Sequence, residues 1–320
     1  MAEFSTRSIA CPLHIDYHKS LKCPKLTTTS AYRSAKLTVR VLGIYNGRKG
    51  ILHAFCYNEL EASKGPAEII SCLHRLIHEL NDFDSCRWLK IWSDNTHAEI
   101  KNCLFSWYMD HLQRTGVFQR IDVNFLEPGH GFSICDRLFA VLEKHMQKYT
   151  ENLDVPEDVF QTIQESSDKI NIIRMNREHF LDFETYFNNM YVKRFESISK
   201  TPFLFGQIAW MNFGIGERLT SGNITAYSHP GIAWFRKENS ADCPPIEVDF
   251  CKQKQRRNLQ DHVLELKYKT MRKPKNPKAV TNDLVKLAAN TMSEESQRYY
   301  ENMRLSYIEV FGHDDSEGEE

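Results

Sequence analysis

Four carboxylates in the first half of the chain stand where a metal-dependent phosphoryl-transfer site can be assembled. One lies in a strand-like segment, one in the first turn of a helix, one at the end of an apolar run and one at the start of a later helix: Asp16, Glu68, Asp94 and Asp136. Carboxylate oxygens are ligands that suit Mg²⁺ or Mn²⁺. If the four converge, they can hold two such cations about 4 Å apart, one activating the attacking hydroxyl or water and the other stabilising the leaving oxygen.

The position of Asp94 is the most informative of the four. It follows the apolar run 88–93, which is typical of a buried strand, and a helical pattern begins soon after it. In open α/β sheets, ligands bind beyond the carboxyl ends of the strands, where Asp94 is expected. The alternative is that Asp94 caps the predicted helix Ala98–Gln113, with Asn95 or Thr96 as further candidates for the cap.

The surrounding segments predict the elements that position these acids. Apolar residues alternate around Asp16, segments 37–45 and 51–57 form a hairpin through Asn46-Gly47, and a helix over 67–80 carries Glu68. After the strand of Asp94 come a helix, a strand at 117–126 and a helix at 134–149. This order predicts an α/β fold over residues 10–150, a ribonuclease-H-like mixed five-stranded sheet with flanking helices.

Several of these residues have a second interpretation. Glu68 also suits the dipole at the start of its helix. Asp136 shares one helix face with Glu143, which together with Glu61 is a substitute metal ligand, although such spacing is also that of a solvated face. His130 could contact a scissile phosphate or shuttle a proton, or it could only stabilise its loop.

Composition excludes several classes of protein. Net charge is −1, no segment has the length and apolarity of a membrane span or a signal peptide, and there are nine cysteines without a C-x-x-C pair. We therefore expect reduced, buried thiols and a nuclear or cytoplasmic protein that is neither secreted nor bound to a membrane. A zinc site from Cys11 to Cys23 is disfavoured, because the ligand spacing matches none of the usual hairpins.

The remainder of the chain predicts an accessory portion. Residues 151–310 alternate short strand and helix patterns, including a helix from Asn176 to about Arg194, and indicate a smaller α+β unit. Its segment 252–278 is rich in Lys and Arg and could follow a phosphate backbone or could be a solvated loop. The acidic tail 311–320 is expected to be disordered.

The chain resembles an uncharacterised family of transposon-derived proteins whose core is a ribonuclease-H-like transposase or integrase domain. The resemblance covers about residues 14–303, and its most specific part includes G-H followed by D-R-x-F. The matching segments here are Asp16-Tyr-His-Lys-Ser-Leu-Lys-Cys-Pro24, Tyr57-Asn-Glu-Leu-Glu-Ala-Ser-Lys-Gly-Pro-Ala-Glu68-Ile-Ile-Ser-Cys-Leu73, Ser93-Asp94-Asn95, Lys101-Asn102, Phe125-Leu-Glu-Pro-Gly-His130-Gly-Phe-Ser-Ile-Cys-Asp136-Arg-Leu-Phe-Ala-Val-Leu-Glu143 and Asp283-Leu-Val-Lys-Leu287.

This resemblance implies a DNA-cleaving or strand-joining domain, and the departures from the pattern imply an alternative. The family's Cys-x-Gly-Gln-Asn stretch is replaced by 96–100, and Lys19 and Ser20 stand where the pattern has glutamine and asparagine. We also expect this sequence to lack the upstream DNA-binding region of a full transposase. Two hypotheses follow with equal weight: an active two-metal nuclease or transposase, with DNA favoured over RNA, and a domesticated, inactive module that binds nucleic acid or a protein partner.

Overall fold

The computed structural model describes most of the chain. The described residues are 10–27, 34–80, 83, 86–95, 99–127, 133–148, 152–200, 203–214, 216–220, 223–227, 231–252 and 277–311. His130, nearly all of the basic segment 252–278 and the tail after residue 311 lie outside these ranges. Within the described part, no helix has the length and apolarity needed to cross a membrane.

Twelve strands are present in the described residues. They are β1 Ala10–Tyr17, β2 Leu21–Cys23, β3 Leu37–Asn46, β4 Ile51–Asn58, β5 Trp88–Ser93, β6 Arg120–Phe125, β7 Ile170–Arg174, β8 Trp210–Phe213, β9 Gly216–Thr220, β10 Asn223–Tyr227, β11 Ile232–Arg236 and β12 Ile246–Asp249.

The same residues contain seven α-helices and two short 3₁₀ turns. The helices are α1 Pro66–His78, α2 Cys103–Arg114, α3 Ile134–Lys148, α4 Pro156–Glu165, α5 Phe183–Asn188, α6 Pro277–Thr291 and α7 Glu294–Phe311. Phe311 therefore ends a helix, although the sequence assigned it to the tail.

Ten of the strands form one mixed sheet. Its order is β12-β11-β8-β6-β5-β1-β3-β4-β7, and β2 pairs with β3 beside this path. Strands β1, β5 and β6 are parallel to one another, whereas β3 is antiparallel to both β1 and β4. The predicted α/β class is confirmed, but the expected five-stranded sheet is too small.

The sheet is larger because strands after residue 150 continue it at both sides. Strand β7 pairs in parallel with β4, and β8 pairs antiparallel with β6. The backbone groups on the outer edges of β4 and β6 are thereby paired, which an isolated five-stranded sheet would have left open. The accessory portion expected from the sequence thus contributes strands to the sheet that carries the acids.

Helices cover the sheet through two main hydrophobic clusters. On one face, α1, α2 and α5 pack against alternate residues of the strands, among them Leu13, Ile91 and Val123. On the other face, α3 and α4 pack against β3, β4 and β7, including Val41 and Leu52. A smaller cluster joins α6 and α7 to Leu37, and includes buried Tyr300.

Local sequence signals explain several of the boundaries. Pro66 lies in the first turn of α1, where a missing N–H is tolerated, and the apolar residues of this helix follow helical spacing. At the β3–β4 turn, the Asn46 side chain accepts from the backbone N–H of Arg48 at 3.0 Å, and Gly50 has φ +71°. The predicted helix after Asn176 is shorter than expected, because the chain forms only a 3₁₀ turn there before α5.

Two cysteines differ from the expectation of reduced thiols. Cys11 and Cys86 form a disulfide between β1 and the segment before β5, so the expectation is wrong for this pair. The other seven cysteines are free, and most are buried. The disulfide also removes Cys11 from any zinc set with His14, His18 and Cys23.

Candidate carboxylate site

Two of the predicted acids are brought together by strand register. Ile15 lies opposite Ser93 in the parallel pair β1–β5, so the next residues, Asp16 and Asp94, are neighbours at the carboxyl ends of adjacent strands. Parallel partners are about 4.8 Å apart and direct their side chains to the same face. The predicted location of Asp94 beyond its strand is therefore correct.

Asp136 reaches the same place from the start of α3. The preceding residue, Cys135, is buried, and its thiol donates to the backbone carbonyl of His14 at 3.3 Å. At the same helix end, Ser133 Oγ accepts from Cys135 N at 3.0 Å and Asp136 Oδ2 accepts from Ser133 N at 2.9 Å. This reciprocal pair is a capping box, and it holds the carboxylate of Asp136 over the end of β1.

The pKa of Asp16 shows that the three acids form one electrostatic cluster. Burial, followed by the charges of Asp94 and Asp136, raises the pKa of Asp16 from 3.8 to about 7, against a smaller lowering by the N–H of Tyr17. A hydrogen bond with Asp136 contributes to the same rise. At neutral pH the proton on Asp16 thus offsets part of the repulsion among three carboxylates.

Glu68 approaches the same strand end from the opposite face. It is 2% exposed in the first turn of α1, and its Oε1 accepts from Ser63 Oγ at 2.8 Å. Burial raises the pKa of Tyr17, and the charge of Glu68 adds to that rise; successive strand residues such as Asp16 and Tyr17 point to opposite faces. The described interactions therefore group Asp16, Asp94 and Asp136, with Glu68 set across the strand from them.

The remaining sequence candidates are placed elsewhere or not described. Glu143 lies two turns along α3 and pairs with Lys19 at 2.8 Å and with the imidazole of His18 at 3.3 Å. Glu61 accepts from the backbone N–H of Arg177 at 2.8 Å. The two substitute ligands, Glu143 and Glu61, are thus held by partners outside the carboxylate cluster. His130 lies outside the described residues.

The capping alternative for Asp94 is wrong in the described structure. Helix α2 begins at Cys103 instead of Ala98, and its cap is Asn102, whose side chain accepts from Phe105 N at 2.9 Å. Residues 96–98 are outside the described ranges, so the candidate Thr96 is too. Asp94 is exposed and adjoins Asp16, a placement that suits ligand contact better than capping.

A lysine beside Asp94 is the functional candidate that sequence reasoning missed. Lys101 is 3% exposed, its ammonium donates to the side chain of Asn95 and lies 4.5 Å from the ring centre of Phe125. Burial lowers the pKa of Lys101 to about 8, and the charge of Asp94 opposes that fall. The sequence did contain a signal, because Lys101-Asn102 matches the pattern of the transposon-derived family that the chain resembles. The sequence alone did not indicate a role for this lysine.

Lys101 contributes to the wall of a cavity next to the carboxylates. The cavity has a volume of about 320 Å³ and is enclosed by the ends of β5, β6 and β11 and the segment before β8. Its polar lining combines three amides, two lysines, two glutamates and a serine: Asn95, Gln207, Asn239, Lys101, Lys237, Glu127, Glu238 and Ser240. Such a lining suits a polar ligand, whose anionic groups Lys101 and Lys237 could contact.

The cluster fits a divalent cation by donor chemistry but does not enclose one. Three carboxylates, one of which has its pKa raised by burial and then by the charges of the other two, present the excess of negative charge that Mg²⁺ or Mn²⁺ neutralises. In the described residues, no three His, Cys, Asp or Glu side chains are arranged so that they could hold a metal ion. Mg²⁺ sites often use only one or two carboxylates, completed by water and substrate phosphates.

Comparison with known proteins gives one result. Searches of curated proteins and of solved structures found no match. The model of a family described as a domain of unknown function, DUF7869, matches residues 29–206. That range includes Glu68, Asp94 and Asp136, while Asp16 precedes it. Because the match covers more than half of the sequence, the chain belongs to the DUF7869 family.

Proposed function

We propose that this chain is a transposase-derived, ribonuclease-H-like domain that cleaves DNA phosphodiester bonds, or joins DNA strands, with Mg²⁺ or Mn²⁺. The observation that carries the proposal is the convergence of Asp16, Asp94 and Asp136 at the carboxyl ends of β1 and β5. Burial, and then the charges of Asp94 and Asp136, raise the pKa of Asp16, and a bound cation would relieve both the burial cost and the repulsion. Such an arrangement lowers the stability of the metal-free fold, and a bound metal ion would offset this cost.

The topology of the central strands supports the fold part of the proposal. The order β4-β3-β1-β5-β6, with β3 antiparallel between β1 and β4, is the arrangement expected for a ribonuclease-H-like sheet. The acids lie on the first strand, after the fourth long strand and at the start of a later helix. The larger sheet and the chain after residue 150 are additions to that plan.

Each residue of the proposed site has a distinct role. Asp16, Asp94 and Asp136 supply the metal ligands, and a bound metal would supply Lewis-acid activation of the nucleophile and stabilisation of the leaving oxygen. Lys101 would bind a phosphate oxygen, since its ammonium lies in the cavity next to Asp94. Glu68 lies across the strand from these acids, so it would serve as a fourth ligand only if its side chain left its hydrogen bond with Ser63.

Calorimetric titration with Mn²⁺ and Mg²⁺ tests the proposal. Wild type should bind two metal ions, Asp94→Asn should lose that binding, and Glu68→Gln should weaken it less. Glu143→Gln is the matched control, because it removes one carboxylate from the helix of Asp136 but lies outside the cluster. Equal metal binding by wild type and Asp94→Asn would refute the assignment of the ligands.

Cleavage is measured separately on end-labelled DNA with Mn²⁺ or Mg²⁺. Wild type and Glu143→Gln should cleave, whereas Asp94→Asn should remain folded and inactive. Retained cleavage by Asp94→Asn would exclude Asp94 from the chemistry.

A second function, a domesticated module that binds nucleic acid or protein without cleavage, is favoured by one observation. The described acids do not form a group that could hold a metal ion. Under this alternative, wild type binds no metal at millimolar concentration and does not cleave DNA, but still binds it in a salt-dependent manner. The titration above therefore separates the two functions.

A further inference from the structure

Strand register aligns five polar and aromatic residues across the face that carries the acids. In successive pairs, His14 lies opposite Trp92, Trp92 opposite Asn124, Asn124 opposite Trp210 and Trp210 opposite Arg236. We call this set the indole row. Paired residues share a face, so one row crosses β1, β5, β6, β8 and β11.

The indole row leads directly to the carboxylates. Asp16 and Asp94 are two residues beyond His14 and Trp92 on the same strands, so they share their face and lie about 7 Å further along. Trp92 and Trp210 are separated by one strand, which corresponds to about 10 Å across the sheet. A ligand extended along the row would have its end at the acids.

Contacts within the row keep its aromatic surfaces in place. The rings of His14 and Trp92 are stacked, with centres 6.4 Å apart and planes at 17°. The guanidinium of Arg236 lies 4.5 Å from the ring centre of Trp210. Asn124 donates to the carbonyl of Ile91 at 3.3 Å, which orients its amide.

A second set of cations lies beside the row. Lys90 Nζ and the Arg120 guanidinium lie 3.9 Å and 4.5 Å from the ring centre of Trp88. The acid in this set, Asp122, accepts from Arg120 at 2.7 Å and from Trp88 at 2.5 Å, so its charge is compensated. The set of Lys90, Arg120 and Asp122 is therefore net positive, whereas Glu247, which lies opposite Trp234, adds a carboxylate to the same face.

The core clusters do not include this part of the face. Helices α3 and α4 cover β3, β4 and β7, and the apolar residues of β5 and β6 are buried on the opposite face. Trp92 and Trp210 are each only partly buried. Among the described residues, His14 Nδ1 and Arg236 Nε have no hydrogen-bond partner, a cost that a polar ligand could relieve by local rearrangement.

We propose that the indole row is a binding platform for single-stranded DNA, on which bases stack against Trp92 and Trp210 while Arg236, Lys90 and Arg120 contact phosphates. Aromatic side chains combined with cations are the usual means of binding single-stranded nucleic acid, because every base has a face that can stack. The orientation of the strand toward the acids rests on the proposed function, but binding itself needs no metal. The platform is a site distinct from the carboxylates.

Charge and shape favour this occupant over a protein segment. Indoles are interleaved with a guanidinium, an amide and an imidazole, and the row has no carboxylate before Asp16 and Asp94. An anionic polymer with flat bases matches these features.

The test is fluorescence anisotropy of a fluorescein-labelled oligothymidine with the full chain in EDTA and low salt. Trp92→Leu and Trp210→Leu should each weaken binding about 5- to 150-fold. Arg236→Gln should weaken binding and reduce its salt dependence. Lys144→Gln is the charge-matched control on the exposed side of α3, and it should bind like wild type.

The outcomes separate this inference from the proposed function. Loss of binding in the row variants, with wild-type binding in Lys144→Gln, supports the platform even if no variant cleaves DNA. The platform is overturned if the row variants bind the oligothymidine as tightly as wild type does. It is also overturned if wild type does not bind, whatever the metal titration shows. Circular dichroism of each variant excludes misfolding, and Arg236→Gln keeps the test valid if a tryptophan variant fails to fold.

Discussion

Replacing Asp16 with asparagine should stabilise the metal-free protein, and the gain should grow with pH. The pKa of this carboxyl is raised from 3.8 to about 7, chiefly by burial and then by Asp94 and Asp136. Between these values the folded chain binds more protons than the unfolded chain. Stability therefore falls as pH rises through this window, and the penalty is complete above the folded pKa.

The magnitude follows from the two pKa values. At 1.36 kcal/mol for each pH unit, the difference between 3.8 and about 7 corresponds to roughly 4 kcal/mol. Because the group is partly open to water, screening reduces this figure, and we expect about 2 kcal/mol at pH 8. At pH 5 the Asp16 carboxyl is protonated in the folded chain but mostly ionised in the unfolded chain. Folding then pays only for taking up that proton, so the gain from Asp16→Asn should be about 1 kcal/mol.

Urea denaturation in EDTA at pH 5 and pH 8 measures both values. Glu143→Gln is a control of opposite sign, because a hydrogen bond from Lys19 lowers the pKa of Glu143 and its removal should not stabilise the protein at pH 8. Mg²⁺ should stabilise wild type at pH 8 but not Asp16→Asn, since a ligand that binds only the folded state raises the free energy of unfolding. A substitution that destabilises the protein at pH 8, or whose effect is the same at both pH values, would refute this electrostatic account.

Three further substitutions test the elements that hold the site. Gly43→Ala should destabilise the fold by about 1–3 kcal/mol in urea titration, because its Cβ would lie 2.7 Å from Phe139 Cζ in α3; an unchanged midpoint would contradict that packing. Asn102→Ala should cost about 1 kcal/mol by loss of the α2 cap, seen as a lower Tm, whereas Asn102→Asp should retain most of it. Asp110→Ala should cost about 3–5 kcal/mol, because the guanidinium of Arg114, 3.6 Å away, is buried with it; wild-type stability would show that the pair is not needed.

Much of the site's scaffold could be predicted from local signals. Apart from the short strand β2, which was not predicted, periodicity gave the order of strands and helices up to α3, and the apolar run 88–93 placed Asp94 beyond a strand end. Helix α2 starts at Cys103, five residues after the predicted start at Ala98, because the side chain of Asn102 caps it, and one short polar residue resembles another in sequence. The capping box of Ser133 and Asp136 has a sequence signal, but that signal does not distinguish a cap from a metal ligand.

The sequence by itself determined the α/β class, the succession of elements and the residue types able to bind a cation, because these depend on periodicity and composition over a few residues. Only the tertiary structure decided which acids meet. Register between β1 and β5 pairs Asp16 with Asp94, a buried thiol docks α3 over them, and alternation along β1 leaves Glu68 on the other side. The tertiary structure also decided that the strands after residue 150 enlarge the same sheet and that Trp92 and Trp210 align across it. Strand pairing joins residues far apart in sequence, and local sequence patterns carry no information about which strands pair.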